Sequence, residues 1–216
     1  YPLTGEAAHI LTLTRNINLI GKGVRRATLR ADSAGANTSI LSVDFSDNGG
    51  FLDVRNWKCE NLTMFFNGGG KHAIHHYQGF QILTSKIHNC SLAAGTHADS
   101  AVFQVGEFGD PFIGWAHSEM SLCTLSAPIA GRFADANLFT KNLSAGNFTA
   151  FILELDAGVR CNNIVNNTLV SRDGALWIKD GDNIRFENNQ IEQFQVSGPN
   201  QAPVSASVRI EGATRS

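Results

Sequence analysis

The chain has 216 residues, 17% of them charged, and a formal net charge of −2. That balance gives no general attraction for nucleic acid or for an anionic membrane surface. No apolar run approaches the roughly 20 residues that a bilayer-spanning helix needs. The 21 glycines outnumber the 5 prolines, and no sustained 3.6-residue apolar period is capped at both ends. Such a chain fits many short strands joined by tight turns rather than helices. Its length suffices for one domain with a substantial core, read as a single domain over residues 1–216.

Residues 10–31 hold two predicted strands, HILTL and NINLI, followed by RATLR. Ile40–Phe45 and Phe51–Val54 lead into a further unit that ends near Phe66. Asn67 to Gly79 reads as a glycine-rich loop. Phe80–Leu92 makes the next unit, with Ala101–Val105 as its following face. The loop Gly106–Pro111 precedes Phe112–Leu125. The units then tighten: Arg132–Phe133, Phe148–Leu155, Cys161–Leu169, Ala175–Lys179, Ile184–Ile191 and Val208–Ile210.

Seven apolar residues each close a short β-type segment: Leu29, Leu62, Leu92, Leu125, Phe148, Leu169 and Ile191. Their spacings are 33, 30, 33, 23, 21 and 22 residues. Periods of this size predict a stack in which each repeat is one coil of chain. Asn-Gly and Asp-Gly pairs do not fall at the regular places that a meander of hairpins needs. Asn instead recurs at one corner of the repeat (Asn89, Asn166-Asn167, Asn188-Asn189). Asn tolerates the left-handed conformation of a sharp corner, and stacked Asn side chains can hydrogen-bond from coil to coil.

Cys59, Cys90, Cys123 and Cys161 roughly follow the repeat and read as buried thiols. A chain of this size does not need a disulfide framework. The close C-x₂-C pairing of zinc sites is missing. No metal and no cofactor are expected. The chain opens on Tyr1-Pro2-Leu3-Thr4-Gly5 without an initiator Met, and Val208–Ile210 belongs to a unit lacking its third strand. Both features read as a fragment of a longer or processed protein.

Ile17-Asn18-Leu19-Ile20-Gly21-Lys22-Gly23 and Asn188-Asn189-Gln190-Ile191 resemble the right-handed parallel β-helix of pectate-lyase-like proteins. Tyr1-Pro2-Leu3-Thr4-Gly5 followed by INLIGKG resembles the first coils of that domain in bacteriophage tailspikes. The resemblance spans nearly the whole chain at the level of the repeat pattern. It implies a single-stranded right-handed parallel β-helix, all-β, in a homotrimeric protein that is extracellular or carried on the virion tail. It implies bacterial surface polysaccharide (capsule or O-antigen) as partner, bound or cleaved, with other tail proteins reached through segments outside this chain. Neither nucleic acid nor membrane is an expected partner. One fold serves many chemistries, so a non-catalytic glycan-binding shaft and a polysaccharide lyase stand beside a hydrolase.

Strand alternation orients the later faces. Phe103, Val105, Phe133, Leu153, Ile178 and Ile210 are expected inside. Gln104, Arg132, Glu154, Lys179 and Glu211 then form one outward column, either a solvated charge ladder or the wall of a polysaccharide groove. Trp177 points out two positions before Lys179 and is a candidate sugar platform. Arg132, Lys179 and Trp177 are the candidate substrate-binding residues.

Glycoside hydrolysis needs a carboxylic acid and a carboxylate, about 5 Å apart in retaining enzymes and about 6.5–9.5 Å in inverting ones. Glu154 and Asp156, two apart on one strand, are expected about 7 Å apart, the inverting geometry. Asp180, with Asp182 close by, arrives one unit later at the matching turn. The catalytic candidates are therefore Glu154, Asp156 and Asp180. Arg132 and Lys179 would favour ionised Glu154, which suits a base or substrate-binding group. Asp156 beside Asp180, two like charges, suits the acid.

Two other segments compete. Residues 95–119 carry Thr96-His97-Ala98-Asp99, Glu107, Asp110, His117 and Glu119, with Phe108, Phe112 and Trp115 among them. Residues 67–77 carry Lys71, His72, His75, His76 and Tyr77. Of these, Lys71, His76 and Tyr77 could serve a lyase that removes the proton beside a uronate carboxylate.

Overall fold

The computed structural model describes residues 2–4, 9–13, 18–23, 26–44, 54–78, 81–97, 99–106, 114–146, 148–154, 161–172, 174–179, 181, 183–193 and 207–211. They contain 26 strands and no helix. The strands form two sheets of eight, one of seven and a short one of three. Each strand pairs in parallel with the equivalent strand one coil away. The architecture is an all-β parallel stack, compatible with a parallel β-helix.

One coil is typified by Lys86–His88 in the seven-stranded third sheet, Ser91–Leu92 in the first sheet and Phe103–Val105 in the second. Gly114–Ala116, in the short sheet, leads to the next coil. The interior is built from registered columns. In the third sheet Leu19, Cys59, Ile87, Met120, Phe139, Ile164 and Phe186 lie over one another. In the second sheet Leu41, Ile74, Phe103, Ile129, Phe151, Leu176 and Val208 do the same. Phe103, Trp115, Phe133, Phe139 and Phe151 join these columns with ring centroids 5.2–5.9 Å apart. Each such ring, fully buried, contributes about 1.5–3 kcal/mol of apolar transfer.

In the first sheet the column is Leu29, Met64, Leu92, Leu125, Ser144, Leu169 and Ile191. Five of the seven expected members are in place. Leu62 instead stands opposite Ala27, two residues nearer the corner. Phe148 lies beyond the strand Leu143–Gly146, where its ring packs over Gly146. Coils of unequal length make counting from sequence slip by a few residues. The expected glycine-rich loop is also shorter. Leu62–Gly69 continues as strand through Asn67, and Ile74–Gln78 is the next strand. Ile210 is in register but 57% exposed, because no described coil covers it.

Two corners repeat. Between the third and first sheets Asn61, Asn89, Leu122, Lys141, Asn166 and Asn188 all have φ between +49° and +59°. Before the third sheet Asn56, Thr84, His117, Ala136, Cys161 and Asn183 have φ between +48° and +60°. At most of these corners the following residue is an Asn, Ser or Cys whose side chain hydrogen-bonds along the stack; Leu62, Trp57 and Ile184 take the place at the others. At the first corner the Asn142 Oδ1 accepts from the Cys123 N–H at 3.0 Å, and its Nδ2 donates to the Met120 carbonyl at 3.0 Å. Asn167 and Asn189 repeat the pattern in the next coils. Cys90 and Cys123 continue the same column, their Sγ atoms 3.4 Å and 3.7 Å from the Cys59 and Ile87 carbonyls. At the second corner Asn137 and Asn162 form a matching ladder, which Ser118 and Ser85 extend.

Cys59, Cys90 and Cys123 are buried and all four thiols are free. Contact with Cys90, and then burial, pushes the Cys59 and Cys123 thiols up, so they remain protonated and unreactive.

Asn142→Ala should cost about 3 kcal/mol or more in urea unfolding, because buried partners on both sides lose their bonds; a loss below about 1 kcal/mol would contradict the ladder. Leu122→Asn should stabilise by about 1 kcal/mol, since Leu122 is exposed and pays for a left-handed backbone that Asn adopts readily. A lowered melting temperature would contradict that expectation.

Candidate functional site

The outer face of the second sheet holds the expected substrate-binding residues. Alternation turns Ser42, His75, Gln104, Ala130, Ile152, Trp177 and Arg209 outward in one registered column. Arg132 stands opposite Glu154 in the adjoining column. The Lys179 N–H donates to the Leu153 carbonyl at 3.0 Å and the Glu211 N–H to the Ile178 carbonyl at 2.8 Å. These bonds carry the second column upward through Lys179 and Glu211. Gln104 does not belong to it. Val105 pairs with Gly131, so Gln104 lies opposite Ala130, two residues from Arg132 in register. Its amide donates to the Gly106 carbonyl at 2.9 Å.

Trp177 is half-buried on this face, between Ile152 and Arg209. The Lys179 Nζ lies 4.8 Å from the ring centroid and the Arg209 Cζ 4.7 Å from it. Arg209 in turn pairs with Glu211. The ring is therefore a cation-bearing surface rather than a bare platform, each contact being worth about 0.5–1 kcal/mol at an exposed site. The Trp177 Nε1 and the Arg132 Nε are buried and make no hydrogen bond among the described residues. Arg209 reaches Trp177 from 32 positions further along the chain, and only the coil register reveals it.

The backbone of Glu154 is in the strand Thr149–Glu154. Its side chain, together with Asp156, Asp180 and Asp182, lies outside the described residues. The Glu154 to Asp156 separation and the meeting of Asp156 with Asp180 fall there too.

The described members of 95–119 are spread over several places in the stack. Trp115 is in the core and completely buried. His97 lies between the first and second sheets, where its Nδ1 accepts from the Asp99 N–H at 3.3 Å. His117 is at the second corner and Glu119 in the third sheet. Glu107, Phe108, Asp110 and Phe112 are outside the described residues. Glu119 does join a row that its sequence neighbours give no sign of. The Lys86 Nζ is 3.5 Å from its carboxylate, which also accepts the Ser121 hydroxyl proton, and the Ser121 oxygen lies 2.8 Å from the His88 Nδ1. With its O–H donated to Glu119, the Ser121 oxygen accepts from His88 when the Nδ1 of that ring carries a proton. The only signal in the sequence is that Glu119 and Ser121 each follow their partners by one coil, 33 residues.

The histidines of the supposed loop are structural neighbours of the core. His76 points inward between Val43 and Val105 and is fully buried. Burial is the main cause that lowers His72 to about 2 and His76 to about 3. His76 cannot meet a polymer on the surface, and the side chain of Tyr77 is outside the described residues.

Among the described residues no three His, Cys, Asp or Glu side chains converge as metal ligands. No described helix is long and apolar enough to cross a membrane. No protein-family profile, curated protein or solved structure matches the chain.

A double-mutant cycle on Arg132→Met and Glu154→Gln should give a favourable coupling of about 0.5–1 kcal/mol in urea unfolding. A coupling indistinguishable from zero would separate the two side chains.

Proposed function

We propose that this chain is the right-handed parallel β-helix domain of a phage tailspike-type protein that binds and hydrolyses bacterial surface polysaccharide. The observation that supports this reading best is the register of the second sheet's outer face. Arg132, Glu154, Lys179 and Glu211 follow one another in a charged row beside Ala130, Ile152, Trp177 and Arg209. Coils repeat about every 4.8 Å, so a linear glycan lying along the stack meets a charged residue at each step, with Ala130, Ile152 and Trp177 beside the first three and Arg209 beside the fourth.

In this reading the acid, Asp156 or Asp180, gives its proton to the glycosidic oxygen. Water attacks the anomeric carbon from the opposite face and loses its proton to a carboxylate, with Glu154 as the base or as a substrate-binding group. Lys179 and Arg209 lie against the Trp177 ring, so sugar hydroxyls meet its edge together with these two cations. The working protein is a homotrimer on the virion tail, joined to other tail proteins and requiring no cofactor. The rival lyase chemistry at residues 71–77 is disfavoured by the burial of His76. A glycan-binding shaft without turnover is the remaining alternative.

The test is incubation with a panel of capsular and O-antigen polysaccharides, following reducing ends and the ultraviolet absorbance of unsaturated uronates. Reducing ends without that absorbance are expected. Both signals together would establish a lyase, and binding without either would establish the shaft. Asp156→Asn should abolish turnover and retain binding, whereas unchanged turnover would remove Asp156 from the chemistry. Trp177→Ala should weaken binding at least tenfold and cost less than about 2 kcal/mol of stability; dissociation or unfolding would make the ring a packing residue instead.

A further inference from the structure

One segment concentrates buried imidazoles that the proposed reaction does not use. His72, His75 and His76 are 2%, 5% and 0% exposed, within the strand Ile74–Gln78 and the turn before it. The His72 and His75 rings are 4.8 Å apart. His76 occupies an interior column position between Val43 and Val105, and neither ring nitrogen has a hydrogen-bond partner. The His72 Nδ1 accepts the Ala101 N–H at 3.1 Å, which ties the segment to the turn before the next strand, Phe103–Val105.

The geometry points to an acid-sensitive coil: below about pH 5 the strand Ile74–Gln78 and its turn open while the remaining coils stay stacked. Among the described residues no acidic side chain faces the His72 or the His76 ring. The charged or titratable groups near His72 are His75, Lys71 and His97, and the one near His76 is His75. On the strand below, Asp44 stands opposite Gln78, two residues beyond His76, with its side chain outside the described residues. On the strand above, Gln104 stands opposite His75. A proton on the His72 Nδ1 would remove the lone pair that accepts the Ala101 N–H. A proton on His76 would place an unpaired charge among apolar side chains.

The direction follows from which form takes up the proton. Opened histidines bind protons near the ordinary value of about 6.5, and the closed ones near 2 and 3. The closed form is therefore fully favoured above pH 6.5, and its advantage is lost as pH falls from 6.5 toward about 3. Each of the two histidines multiplies the opening constant by about 100 at pH 4.5, so together they raise it about 10⁴-fold above its value at pH 7.5.

Amide hydrogen exchange of the full chain at pH 7.5 and pH 4.5, corrected for intrinsic rates, reads this opening. Protection at Ile74, His75 and His76 should fall about 10⁴-fold, while amides of Ile164 and Leu169 change far less. His76→Val should reduce the pH effect to about 100-fold, and His72→Gln with His76→Val should abolish it. Unchanged protection at Ile74–His76, a fall shared equally by all coils, or full pH dependence in the double variant would each overturn the proposal. Should the variants not fold, the native histidine ring protons decide. Titration of His72 and His76 near pH 6.5 without loss of protection would overturn it, and absence of titration down to the pH of opening would support it.

Discussion

A coil that closes on itself must turn sharply while staying inside its own stack. At each turn the backbone leaves the ladder, and buried N–H and C=O groups need another partner. The left-handed residue makes the turn, and the next side chain, directed inward, supplies the missing bonds. Asn142, Asn167 and Asn189 do this at one corner and Asn137 and Asn162 at the other. The Asn137, Asn142 and Asn167 amides each bond the coils on both sides of them, so neighbouring coils share one register. All the columns, inside and out, depend on that register.

Because strands and corners are fixed, the segments between them are free to vary. Thr124 and its neighbour Leu143 are 19 residues apart, whereas Ala27 and its neighbour Leu62 are 35 apart. Arg132 and Glu154 are neighbours on the outer face of the second sheet because two coils share a register, and Trp177 contacts Arg209 for the same reason. His72 and His76 obey the opposite logic: the stack buries them, and among the described residues no acidic side chain faces either ring.

Much of this was legible in the sequence because coil periodicity and alternation are local signals. Leu29, Leu92, Leu125, Leu169 and Ile191 mark the first-sheet column, and Asn89, Asn166 and Asn188 mark one corner. The second corner is not legible, because Asn stands there only at Asn56 and Asn183 among its described turn residues, with Thr84, His117, Ala136 and Cys161 at the others. Met64 and Ser144 were passed over for Leu62 and Phe148, since an unequal coil displaces the pattern and a serine in an apolar column gives no hydrophobic signal. Gly68 to Gly70 suggested a loop, yet Gly68 and Gly69 belong to a strand and His75 and His76 to the next one. Gln104 was misplaced by two residues for want of the Val105–Gly131 pairing. Trp177 was found by alternation, whereas its contact with Arg209 is visible only across coils.

Paired spin labels on the outward first-sheet column test the coil register most directly. Thr28 and Thr168 are five coils apart, and Thr28 and Gln190 six. Double electron–electron resonance should give separations near 24 Å and 29 Å, a step of about 5 Å for one coil. A longer distance to Thr168 than to Gln190, or separations that follow residue number instead of coil number, would contradict the stack and every contact derived from it.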